Sequence, residues 1–139
     1  MADTGYDWSA WTFVQDFEDT TWEEITIDDG TEPPGSTAIS LDGRAACEVG
    51  IVLTAPDAAI DGVVTIFVFG AGVGYEESTA GVGSPWQLVI TPVQNDTVYK
   101  RFAVSADDYG DFKLSLRNDS GQDLVTSVKY RTATIPLAS

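Results

Sequence analysis

The chain has 139 residues, enough for one domain that buries a core without disulfide or metal staples. Its 22 acidic residues against 7 basic ones give a formal net charge of −15, while 43% hydrophobic content and a mean hydropathy of −0.02 are ordinary for a globular protein. A surface this acidic repels phosphate backbones and anionic lipid, so neither nucleic acid nor membrane is an expected partner.

Histidine is absent, which removes Ser-His-Asp and Cys-His catalysis together with the commonest metal ligand. The single cysteine, Cys47, rules out an internal disulfide framework and, in its apolar alternating segment, reads as an inert buried thiol. The N-terminus carries Asp3 and Asp7 and no basic or apolar leader pattern, so synthesis in a cytoplasm is expected. The apolar, uncharged run Gly62 to Tyr75 is too short to span a membrane.

Taken in order, residues 1–9 are polar and turn-rich and read as an N-terminal arm offering Tyr6 and Trp8. Trp11 to Phe17 and Trp22 to Asp28 alternate as first and second strands. Residues 29–36 hold two prolines and two glycines and form a loop. Ser36 to Asp42 and Ala46 to Leu53 flank an Asp42-Gly43 turn and read as a hairpin. Val63 to Phe69 is nearly all apolar, which predicts a central strand covered on both faces. Residues 70–85 form a glycine-rich loop. Trp86 to Thr91 and Thr97 to Ser105 follow as strands.

The stretch from Tyr109 to Thr132 carries the clearest pattern. Phe112, Leu114 and Leu116 alternate with Lys113, Ser115 and Arg117, and Val128 and Tyr130 with Ser127, Lys129 and Arg131. Asn118-Asp119-Ser120-Gly121 between them predicts a turn and an antiparallel hairpin with one basic face. A short tail, residues 133–139, ends in Ile135-Pro136-Leu137. The whole predicts an all-β antiparallel sandwich, jelly-roll-like, of eight to nine strands over residues 10–132.

Carboxylates are plentiful, yet adjacent pairs such as Glu23/Glu24 and Glu76/Glu77 arise from composition and read as solvated surface acids rather than a glycosidase pair. Asp28-Asp29-Gly30 and Asp107-Asp108 lack the ladder of a calcium loop. Ser84 lacks a nucleophile elbow, and the glycine-rich loop lacks the lysine of a phosphate cradle. No enzyme activity, metal or cofactor is expected. Trp11 and Trp86 read as core on alternating strand faces, and Trp8 as an interface anchor.

Charge is distributed unevenly. Residues 1–43 hold 11 acids and no Lys or Arg, and six of the seven basic residues lie beyond residue 96. Such halves are complementary between copies, to an acidic partner, or within one monomer.

The segments STAISLDGRAACEVGI and LSLRNDSGQDLVTSVKYRT, in a short all-β chain without a catalytic kit, resemble those of small jelly-roll or sandwich virion proteins of tailed bacteriophages. The resemblance covers residues 36–132. It implies a structural protein that decorates or cements a capsid or forms part of a fibre. The implied location is the virion, with the major capsid protein or another virion protein as partner and a homo-oligomer, a trimer favoured, as the assembly. For protein contacts the expected residues are Tyr6, Trp8, Arg117, Arg131, Ile135 and Leu137. A carbohydrate-binding module or receptor-binding fibre domain is the alternative.

Overall fold

A computed structural model describes residues 6–71, 86–104 and 111–134. They form ten strands and, among the described residues, no helix: β1 (Asp7–Trp8), β2 (Thr12–Phe13), β3 (Ile25–Ile27), β4 (Ile39–Ser40), β5 (Ala46–Thr54), β6 (Val63–Ala71), β7 (Trp86–Ile90), β8 (Thr97–Val104), β9 (Asp111–Asp119) and β10 (Leu124–Thr134). Two antiparallel sheets result. One runs β3-β10-β5-β8, with β1 and β2 also on β10, and the other runs β4-β9-β6-β7. In chain order, β3 to β10 pair as the eight strands of a jelly roll do. The expectation of a jelly-roll sandwich holds, and β1 and β2 are additions to it.

Period-two alternation places the core. Val49, Ile51, Leu53, Leu124 and Val128 of the first sheet meet Val64, Ile66, Val68, Leu114 and Leu116 of the second, all nearly inaccessible to water. Trp22, at 0% exposure, fills the edge next to β3. Replacing a buried aromatic of that size with alanine costs about 3–5 kcal/mol. On β6 the other face is buried too, at Phe67 and Phe69, so this strand is covered on both sides as its composition predicts.

The two predicted hairpins are corrected. β9 pairs with β4 and β6, whereas β10 pairs with β5 and the N-terminal strands, so the Asn118–Gly121 turn carries the chain from one sheet to the other. The Asp42-Gly43 turn does the same between β4 and β5, with Gly43 at φ 70°. Alternation and turn chemistry are identical for a hairpin and for an arch between sheets, because both need one buried face per strand. As a result Lys113 and Arg117 lie on one sheet and Lys129 and Arg131 on the other, and the single basic hairpin face does not exist.

The predicted arm also begins to pair earlier than expected. Asp7 and Trp8 are in register with Thr134 and Ala133, and Ser9 N–H donates to the Thr132 carbonyl. The backbone of β10 has an open edge beyond β5, and the N-terminal segment satisfies it piecewise through β1, β2 and β3. At the other terminus β10 takes in Ala133 and Thr134 of the expected tail. Ile135 and Leu137, the glycine-rich residues 72–85 and Asp107-Asp108 lie outside the described residues.

Candidate functional site

The outer face of the β3-β10-β5-β8 sheet gathers aromatic and cationic side chains around a glycine. Gly50 stands mid-strand in β5, between Lys129 of β10 and Arg101 of β8. Strand residues two apart share a face, so Glu48, Gly50 and Val52 point outward with Tyr99 and Arg101 on one side and Lys129 and Arg131 on the other. Trp11, carried between β1 and β2, lies over this face. The groove so formed has a volume of about 440 Å³ and is lined by Trp11, Gly50, Val52, Tyr99, Lys100, Arg101 and Lys129, together with Ile51.

Gly50 makes the floor. A Cβ built there would lie 3.6 Å from Cζ3 of Trp11 and 3.9 Å from Cγ of Lys129, ordinary contact distances, and its φ is not in the left-handed region. The backbone therefore does not demand glycine. The missing side chain leaves room between Trp11 and Tyr99 instead.

The charges are ordered around one acid. Glu48 accepts from Arg131 Nε at 3.1 Å and Nη2 at 2.6 Å, and faces Arg101 Nε at 3.5 Å. The Arg131 guanidinium also lies 4.4 Å from the Trp8 ring centroid and 4.8 Å from that of Trp11. Lys129 Nζ sits 5.4 Å from the Trp11 ring. These are cation–π distances, each contributing about 0.5–1 kcal/mol where water has access. Among the described residues no carboxylate pairs with Lys100 or Lys129. The Lys129 ammonium, on the groove face and without an anion among the described residues, is an anion-seeking feature in a chain of net charge −15, whereas Lys100 is in register with inward-facing Ile51 and so belongs to the opposite face of β8.

Of the residues expected to make contacts, the structure brings three together. Tyr6 packs edge-on to Trp8 at 5.9 Å, and Trp8 meets Arg131. Arg117 is elsewhere. It sits on β9, pairing with Asp119 at 2.9 Å and reaching the Gly30 carbonyl at 3.5 Å. The sequence reading missed Trp11, Tyr99, Arg101, Lys129, Glu48 and Gly50 as one site. A glycine inside the apolar run of β5 was the available signal. Trp11 is half-buried on the outer face rather than in the core. Trp86, 39% exposed, tilts against Phe102 at 5.0 Å where the β7 and β8 edges meet.

Among the described residues no three metal-ligating side chains converge. Cys47 lies on the opposite, inner face of β5, and burial followed by the Glu48 charge pushes its thiol up to about 12, so it stays protonated.

No family model matches the chain, and no curated protein matches it. A solved structure from Bacillus endospore appendages, described as a novel family of disulfide-linked pili, aligns at TM-score 0.44 and 11% identity. The alignment spans 98% of this chain and 96% of that one. A likeness at that level carries no argument about function.

Proposed function

We propose that the chain is a non-catalytic structural protein that works by protein–protein contact through the groove-bearing outer face of the β3-β10-β5-β8 sheet. The observation that carries this reading is the Lys129 ammonium and the Arg101 guanidinium on one sheet face beside exposed Tyr99 and half-buried Trp11. Desolvated aromatic and cationic side chains are what protein interfaces use as anchors. The setting we propose is the one the sequence resembles, a tailed-phage virion, with the chain decorating and cementing the capsid. A subunit that binds only the assembled shell lowers that shell's free energy by mass action.

The test uses shells of the encoding phage's capsid protein with and without added chain. Saturable binding at fixed stoichiometry and a raised shell-disruption temperature are expected, both lost in Arg101→Glu/Lys129→Glu. A shell that is neither bound nor stabilised contradicts the virion setting.

Carbohydrate binding is the second reading, favoured by Tyr99, which is 73% exposed at the groove. It is the weaker one, because the natural stacking platform, Trp11, already has two cations against its ring. A glycan array with no hit removes it.

A further inference from the structure

The sandwich carries a second built surface feature, the segment 15–24 between β2 and β3. Asp16 is 2% exposed, and its Oδ1 accepts the N–H groups of Glu18 and Thr20, both at 2.9 Å. Its Oδ2 faces Trp22 Nε1 at 3.4 Å. Gln15 bridges Thr21, and the Phe17 N–H donates to the Gly35 carbonyl. One buried carboxylate thus fixes a loop that holds Phe17 out in water, 63% exposed. Glu18, Asp19, Glu23 and Glu24 stand exposed around it. Asp19 and Glu24 adopt φ of 67° and 51°, a left-handed conformation unfavourable for residues with a side chain.

This loop is the chemical complement of the groove. It offers one aromatic ring and four carboxylates, and the groove offers aromatic walls, the Lys129 ammonium and the Arg101 guanidinium. It cannot serve its own groove. Backbone bonds to Gly35, and from Thr37 N–H back to Gln15, hold it at the seam where the edge of the first sheet meets the strand leading into β4. The groove lies over β10, β5 and β8 around Gly50, and no residue of the loop lines it.

We propose that the loop 15–24 of one copy docks into the groove of the next. Phe17 enters between Trp11 and Tyr99, and the loop carboxylates meet Arg101 and Lys129. The contact is heterologous, so it closes into a ring where the rotation between copies permits, a trimer at about 120°, and otherwise extends as a filament. Each copy carries −15, so copies repel at long range. That repulsion is screened beyond about 8 Å at physiological ionic strength, whereas loop-to-groove ion contacts act inside that distance. Association is therefore strongest at intermediate salt and weaker at both extremes. This inference rests on the reading of the groove as a protein-contact face.

Two variants test it: a groove variant, Arg101→Glu/Lys129→Glu, and a loop variant, Phe17→Ser/Glu18→Lys. All four side chains are exposed or half-buried on the surface, and circular dichroism confirms that each variant folds. Multi-angle light scattering is expected to show oligomers of the wild type. Each variant alone should be a monomer, its dissociation constant raised by at least about tenfold. An equimolar mixture should form a dimer that grows no further, since each mixed pair keeps one intact loop and one intact groove. A mixture that stays monomeric, or a variant that associates like the wild type, overturns the proposal. A monomeric wild type that still binds shells through the groove overturns self-association alone, whereas a groove variant that keeps shell binding overturns the contact reading as well.

Discussion

Arg131 holds Glu48 from the neighbouring strand with two nitrogens on one carboxylate oxygen, at 3.1 and 2.6 Å, in a spot where both side chains are only 24% and 20% exposed. The same guanidinium lies against Trp8, so one residue ties β10, β5 and the N-terminal edge together. Arg131→Met is expected to cost about 1–3 kcal/mol in urea unfolding, the size of a charge-assisted hydrogen bond plus a partly screened cation–π contact. Part of that cost comes from leaving Glu48 without its main partner. Adding Glu48→Gln should therefore cost less than the sum of the single changes, and strict additivity would refute the pairing.

Asn118 fixes the passage between the sheets. At 1% exposure its Nδ2 donates to the carbonyls of Ile27 and Gln122, both at 2.8 Å, and its Oδ1 accepts from Ser120 N–H and Oγ. Asn118→Asp keeps the shape but turns two donated bonds into carboxylate facing carbonyl. Asn118→Ala abandons all four bonds. Each is expected to lower stability by about 2–4 kcal/mol in equilibrium unfolding, through buried groups left without partners.

Two glycines with different reasons to be glycine give a paired prediction. A Cβ on Gly62 would overlap the backbone carbonyl oxygen of Asp119, which cannot yield as a side chain can. A Cβ on Gly50 fits at ordinary distance from Trp11. Gly62→Ala should lower the unfolding midpoint markedly, by about 2 kcal/mol or more of stability. Gly50→Ala should leave it within about 0.5 kcal/mol while narrowing the groove floor.

The Cys47 thiol, raised from 9.0 to about 12 by burial and then by Glu48, sets a pH dependence. Above about pH 9 the unfolded chain gives up this proton and the folded chain keeps it, so the unfolded state binds fewer protons. Stability is full below that pH and falls towards about pH 12, with a limiting slope of about 1.4 kcal/mol per pH unit from this group. Urea unfolding at pH 8 and pH 10 is expected to show a steeper loss in the wild type than in Cys47→Ala. Equal losses would mean the thiol is not buried as described.

Much of this fold was legible in the sequence because jelly-roll strands announce themselves by alternation: Phe112, Leu114 and Leu116 are all buried, as their spacing predicts. Which sheet a strand joins was not legible. The turn at Asn118 looks the same whether its flanking strands pair or part, and the distinguishing bonds, to Ile27 and Thr31, come from far along the chain. β2 and β3 fall inside the strands expected at 11–17 and 22–28, but β1 exists because β10 has backbone groups to satisfy, a tertiary demand with no local signature. The candidate site was half-legible for the same reason. Trp8 and Arg131 stood out by type, but Gly50, Tyr99 and Arg101 become neighbours only through the register of β5 with β8.

The most direct measurement is the weight-average molar mass of the purified chain by light scattering across a concentration series, beside that of Arg101→Glu/Lys129→Glu. The account predicts a wild-type mass rising above 14.9 kDa with concentration and a variant that stays at it. A wild type fixed at 14.9 kDa throughout, or a variant that rises with it, would contradict the groove as the surface through which copies meet.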